Sequence, residues 1–258
     1  MKKLVLPSDT DQQQSMTRDE ALDLYRPIRA GIQRVLKVAP GACNQSDWMR
    51  AAKHLGVWSE DGIVVDDESV IEMITDIALF EPNQRKKRAY DRFLDGPAQS
   101  LNPADFELAR RIGDAFFSIF KMVNRHPAAG VWVEDILDGS RRIWLLDEGL
   151  EQSAPVDFLF GMRIFNAGPF HAGFGIVVPA DEEIAHFCAQ ARARGGPLPI
   201  RDSLAARLYS DYIQARSPLS LTEVEMLGDF LDLLAQAPPR ASNKVAKRST
   251  RSKRRPNL

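Results

Sequence analysis

Apolar side chains recur at helical spacing through the first half of the chain and then alternate through a short middle stretch. Leu24, Tyr25, Ile28, Ile32, Val35 and Leu36 mark a first helix. Its start is Thr17-Arg18-Asp19-Glu20, in which Thr17 can accept from an amide three residues on while Glu20 reaches back. Pro27 lies inside the pattern and predicts a kink or a division into two pieces. Further helices are predicted at 46–54, at 68–81 behind the acidic run Asp66-Asp67-Glu68, and at 83–94. A fifth starts at Asn102-Pro103, and its stripe of Phe106, Ala109, Ile112, Phe116, Phe117, Phe120 and Val123 predicts a long helix reaching 123.

At Pro127 the period changes from 3.6 to 2. Val131, Val133, Asp135 and Leu137 alternate, Asp138-Gly139 turns the chain, and Ile143 and Leu145 resume, which predicts a β-hairpin. The runs 158–165 and 170–178 predict a second hairpin. Four strands joined by short turns suggest a small antiparallel sheet or barrel. Helical spacing returns at 180–194, at 200–214, and in a last helix opened by Ser220-Leu221-Thr222-Glu223 and ended by Pro238-Pro239. The fold class is therefore α+β and mostly helical. A leader (1–16) and a helical region (17–126) precede the β module (127–179). C-terminal helices (180–237) and a disordered tail (238–258) follow it.

Charge alters this picture at one end. The chain holds 34 Lys and Arg against 35 Asp and Glu, yet eight of the cations and none of the acids fall between Arg240 and Leu258. The preceding residues carry a net charge of −9. A like-charged block without apolar residues cannot fold alone and is often an interaction arm. Lys244, Lys247, Arg248, Arg251, Lys253, Arg254 and Arg255 are thus candidate nucleic-acid contacts. A second cluster, Arg85 to Arg88 with Arg92, places Arg85, Arg88 and Arg92 on one face of the predicted helix at 83–94. No stretch approaches the roughly 20 apolar residues of a membrane span, and Met1 to Leu6 is too short an apolar start for a signal peptide. Cys43 and Cys188, the two cysteines, read as small hydrophobes of a reducing compartment. The expected location is cytoplasmic.

Enzymatic signatures are sparse. Neither a phosphate-binding loop with its lysine nor a Gly-x-Ser-x-Gly elbow nor a Cys-x-x-Cys pair occurs. Glu183 and His186 have the Glu-x-x-His spacing of di-iron bundles, but those sites need a second such pair and two more glutamates. No catalytic residue, metal or cofactor is assigned.

The second hairpin offers one candidate ligand face. If Phe158, Phe160, Met162 and Ile164 share a core face with Phe170, Ala172, Phe174 and Ile176, a five-residue loop pairs Ile164 with Phe170. Arg163 then lies opposite His171 and Gly161 opposite Gly173, with Gly175 further along. Such a strip admits a ligand closely, with Arg163 to hold an anion and His171 to titrate, or else it permits tight curvature or helix packing.

Arg163-Ile-Phe-Asn-Ala167 followed by Gly173-Phe-Gly-Ile-Val-Val-Pro179 is similar to the nucleic-acid-binding strands of cold-shock domains. The similarity covers about 25 of the 258 residues, needs a gap, and turns Phe174 inward where those barrels keep stacking aromatics outside, so no family membership is drawn from it. The expected function is that of a non-enzymatic interaction or regulatory protein, with a protein partner or nucleic acid met through the tail. The alternative is a sensor or enzyme for a small anionic ligand, built on Gly161, Arg163, His171, Gly173 and Gly175.

Overall fold

Caps and packing decide where the helices run in the computed structural model, which describes residues 16–216 apart from 61, 64, 66, 197 and 199–202. The chain divides into two units at Arg216, and every described residue belongs to the first. The leader to Ser15, the helix expected from Ser220 and the basic tail lie outside the described residues.

Helix α1 (Arg18–Val38) opens on the reciprocal cap expected from the sequence, with Thr17 N donating to Glu20 Oε2 at 2.8 Å. It runs on through Pro27 as one helix, contrary to the expected split. Pro27 sits on the exposed side, where water can satisfy the Asp23 carbonyl, while Leu22, Tyr25, Ile32 and Val35 hold the opposite side in the core. Helix α2 (Gln45–His54) is capped by Asn44 and α3 (Glu68–Phe80) by Asp67. The helix expected at 83–94 shrinks to α4 (Ala89–Asp95). Residues 83–88 instead form a loop, because the Asn83 side chain accepts from the amides of Arg85 and Lys87, and Lys86 takes φ 58°.

Helix α5 (Pro103–Gly113) stops ten residues short of its expected end, and Phe116–Arg125 is strand β1. The apolar run from Phe116 is buried on both faces: Phe120 and Met122 point into a barrel, and Phe117 and Ile119 lie under helices. A strand covered on both sides has no alternation to distinguish it from a helix. Strands β2 (Val131–Asp135) and β3 (Arg141–Leu145) form the expected hairpin, turned by Gly139 and Ser140 at φ 61° and 59°. A short helix α6 (Glu148–Ser153), capped by Asp147, precedes β4 (Leu159–Asn166) and β5 (His171–Pro179). Helices α7 (Glu182–Ala193) and α8 (Leu204–Arg216) complete the described fold.

The sheet has five strands, and it is mixed rather than antiparallel. Its order β1-β2-β3-β5-β4 closes on β1, the one parallel seam joining Leu145 of β3 to His171 of β5. Phe120, Met122, Val131, Val133, Ile143, Leu145, Phe160, Met162 and Ile164 fill the barrel, with Leu150 of α6 packed among them. Two further cores bind helices to the outside. Tyr25, Ile32, Tyr90 and Phe93 pack with Phe165 and Phe170, while Ile74, Ile77, Leu208 and Tyr209 pack with Ile119 and Val178. At roughly 25 cal/mol per Å² of apolar area removed from water, these interfaces, more than helix propensity, hold the helices in place. Among the described residues no helix is long and apolar enough to cross a membrane.

Candidate functional site

The second hairpin does not adopt the register expected from its apolar residues. Its loop has four residues, so Asn166 pairs with His171, Phe165 with Ala172 and Ile164 with Gly173. Arg163 then faces a bulge in which Phe174, Gly175 and Ile176 stand against one residue, after which Met162 pairs with Val177 and Gly161 with Val178. Gly175 takes φ 99° there, a value that L side chains rarely adopt, and this lets the strand bow out.

The five residues of the expected strip are consequently dispersed. Gly173 faces the barrel interior, where an added Cβ would overlap the Met162 methyl. Gly161 faces outward but is covered, since a Cβ would lie 2.5 Å from Leu208 Cδ1 and 2.9 Å from Phe117 Cζ. Gly175 is exposed beside the Arg29 guanidinium, and His171 sits at the seam with β3, its carbonyl accepting from Leu146 N at 2.9 Å. Burial, and secondarily Arg141, pushes the His171 imidazole down to about 4. Phe174 turns outward, not inward, and packs on Phe80 at 5.1 Å between ring centroids. The four-residue loop is the physical reason for the changed facing: it offsets the pairing by three residues, an odd number that turns each position of β5 to the other side, and the bulge of three residues against one keeps that facing.

Arg163 has a structural occupation. Its Nε and Nη2 donate to Asp76 Oδ1 and Oδ2 at 2.8 and 3.1 Å, and Nη2 also reaches Glu81 Oε1 at 3.0 Å. The guanidinium lies 5.0 Å from the centre of the Phe80 ring and 5.7 Å from that of Phe117, and Tyr209 Oη donates to Asp76 Oδ2 at 3.3 Å. Burial opposes the charge on Arg163, but Asp76 and then Glu81 outweigh it and hold the group more firmly protonated than a free arginine. Tyr209 is pushed well above the ordinary phenol range by burial and by Asp76. The node therefore ties β4 to α3 and α8. Its sequence signals were a lone acid within the apolar face of α3 and a lone arginine in an apolar strand.

The expected cationic face at 85–92 is also corrected. Arg88 caps α4 by binding Asp91 and donates to the Gly113 carbonyl at 2.8 Å, and Arg92 is turned inward onto the buried Asp47. Arg85, Lys86 and Lys87 remain exposed in the loop. Lys244, Lys247, Arg248, Arg251, Lys253, Arg254 and Arg255 lie outside the described residues. Among the described residues no group of three or more His, Cys, Asp or Glu could hold a metal ion, and His186 Nε2 meets Gln190 at 2.6 Å. Cys43 and Cys188 are free thiols, and burial followed by Asp47 pushes Cys43 up to about 11.

A different surface stays partly in solvent among the described residues. Helices pack on β1, β4 and β5, whereas the outer side of β2 and β3 carries Trp132, Glu134 and Arg142 at least partly in solvent. The Arg142 guanidinium lies 4.7 Å from the centre of the Trp132 ring, and its Nη2 donates to Asn124 Oδ1 at 3.2 Å. Behind them His126 stacks on Trp144, with ring centroids 3.8 Å apart and planes 7° from parallel, and leans on Trp132 at 4.7 Å. His126 Nδ1 accepts from Ala128 N, which places the ring proton on Nε2, and Trp144 Nε1 donates to Ala129 O at 2.7 Å. Burial, and secondarily Arg142, pushes His126 down to about 4. Trp132 thus rests on a neutral, buried and hydrogen-bonded support. Lys121 and Arg125 of the neighbouring β1 and Arg141 of β3 are further cations, the first and last paired with Asp157 and Asp138. The signal that could have revealed this site is the polar-side tryptophan within the alternating run 131–135.

Residues 19–189, about two thirds of the chain, match the family described as "Family of unknown function (DUF7986)", a match that takes in the whole barrel and stops before α8. No curated protein and no solved structure matches the chain.

Proposed function

We propose, for a chain that belongs to the DUF7986 family of unknown function, a non-enzymatic role as a binding or regulatory protein that contacts single-stranded nucleic acid. The observation that carries this reading is the Trp132–Arg142 pair on the outer side of β2 and β3, at least partly in solvent among the described residues. The Arg142 guanidinium lies over the Trp132 ring and offers a flat cationic face for a base together with a phosphate contact, while the His126–Trp144 stack supports the indole. Small five-stranded Greek-key barrels bind oligonucleotides or oligosaccharides on the outer face of their second and third strands, here β2 and β3. That support is an analogy of architecture, and the residues on the strip give it chemical content. The seven cations from Lys244 to Arg255 would add sequence-independent attraction to phosphates.

The test is fluorescence anisotropy of labelled single strands of about 16 nucleotides, titrated with the full chain at several salt concentrations. Removing one stacking platform costs roughly 1–3 kcal/mol per base, so Trp132→Ala should weaken binding about tenfold or more. A chain ending at Pro239 should show a shallower dependence on salt. Absence of binding by the full chain, or equal affinity for Trp132→Ala and Arg142→Ala, would overturn the reading. An unchanged salt slope after truncation would remove the tail from it.

A further inference from the structure

A second surface, independent of the Trp132 strip, lies where the C-terminal end of α1, the exposed side of α3 and the bulge of β5 meet. They enclose an open groove of about 370 Å³, more than twice the ~150 Å³ that accepts one benzene ring. Leu36 forms one wall and Ile71 the other, with Phe80, Phe174 and Ile176 between them. Ile71 is 50% exposed, an apolar side chain held at the lip of an apolar hollow. The groove is preformed. Phe174 and Ile176 are presented by the bulge around Gly175, while Phe80 and Asp76 are fixed from below by the Arg163 guanidinium. A site that need not reorganise keeps more of its contact energy as affinity.

Its rim is electrically lopsided. Glu68 and Glu72 stand one turn apart along the α3 edge, and Lys37 faces them from α1. Neither glutamate forms a salt bridge among the described residues. An occupant that complements both features brings bulky apolar side chains to the hollow and positive charge to the α3 side. We infer that this groove is a docking site for a segment of a partner protein: an amphipathic helix with two bulky apolar residues one turn apart, flanked by Lys or Arg. The apolar pair fills the space between Leu36, Ile71 and Phe174, in the manner by which helical peptides seat anchors in hydrophobic grooves. The basic flank meets Glu68 and Glu72 and sets the orientation.

The experiment selects randomised displayed peptides on the full-length protein, with counter-selection on Ile71→Lys. Ile71 is half exposed, so that variant should melt with the wild type, and its melting temperature is the check on folding. Peptides carrying an apolar pair at a spacing of three or four, and enriched in Lys or Arg, are the expected outcome. A synthetic peptide of the selected sequence should lose tenfold or more in affinity on Ile71→Lys, and should weaken on the double change Glu68→Lys, Glu72→Lys and with added salt. It should bind Trp132→Ala unchanged, which separates this site from the nucleic-acid strip. No enrichment, enrichment of acidic or polar peptides, or equal binding to Ile71→Lys would each overturn the inference. Ile71-dependent binding that ignores both the glutamate change and salt would overturn the basic-flank part.

Discussion

Arg163 and Asp76 stand 87 residues apart in sequence and meet through two hydrogen bonds, 2.8 and 3.1 Å long, beneath the helical layer. Both side chains are almost wholly excluded from solvent. Breaking such a pair on one side leaves an uncompensated buried charge, which costs on the order of 3–5 kcal/mol. Asp76→Ala should therefore destabilise strongly, with Glu81 alone left to neutralise Arg163. Replacing Arg163 and Asp76 together by Met and Leu should cost less than the sum of the single changes, because neither charge of the pair is left facing an empty place and only the partly exposed Glu81 carboxylate loses a partner. Urea unfolding of the two single variants and the double variant measures this. Additive losses would show that the pair acts through shape alone.

Much of the architecture was legible because local chemistry dictated it. Thr17 with Glu20, Asn102 with Pro103, and Asp138-Gly139 each fixed an element end in the sequence that the fold retains. What escaped depended on tertiary cover. Phe116 to Phe120 reads as helix until both of its faces are known to be buried. The hairpin register failed at the loop 167–170, whose length no periodicity announces and whose odd offset changes which side chains face inward. Arg163 drew attention as a candidate ligand-binding residue because its partners, Asp76 and Glu81, lie far away in the sequence. Trp132 and Arg142 drew none, because a partly exposed tryptophan becomes conspicuous only beside the covered faces of the other strands.

Gly130 and Gly139 both have positive φ, 76° and 61°, yet they should respond differently to alanine. At Gly139 nothing lies within 4 Å of an added Cβ, so the cost is that of the left-handed backbone alone, about 1–2 kcal/mol. At Gly130 the same atom runs into the Leu145 carbonyl and lies 2.7 Å from Leu146 Cα, backbone that the β2–β3 pairing holds in place. Overpacking adds about 1–3 kcal/mol to the backbone cost. Gly130→Ala should lower the urea midpoint clearly more than Gly139→Ala, and equal shifts would contradict the close approach at Leu145.

Pro27 denies α1 one hydrogen bond in a helix whose other side is fully packed. Pro27→Ala restores a donor for the Asp23 carbonyl and an amide geometry that suits the helix interior. The site is exposed, so no packing is lost. Stability should rise by about 1–3 kcal/mol, read as a higher melting temperature. A fall would mean that the helix bends at Pro27 to meet its neighbours and needs that bend.

His126 and His171 make stability depend on pH below neutrality. Each is pushed by burial from the ordinary 6.5 down to about 4, with Arg142 and Arg141 adding to the effect. Between those values the unfolded chain binds protons that the folded chain refuses. The stabilisation is therefore complete above about pH 6.5, falls as pH drops, and is gone once pH passes below about 4. At pH 5 the loss is roughly 2 kcal/mol for each histidine. His126 has a structural reason to resist: a proton on Nδ1 would remove the acceptor for Ala128 N–H and place a charge against Trp144. Urea midpoints measured from pH 8 to 4.5 should decline along this curve, and His126→Phe, which keeps a ring against Trp144, should remove about half of the decline. If the His126→Phe profile overlays that of the wild type, His126 is not held neutral in the folded state, and the rigid support assigned to Trp132 loses its basis.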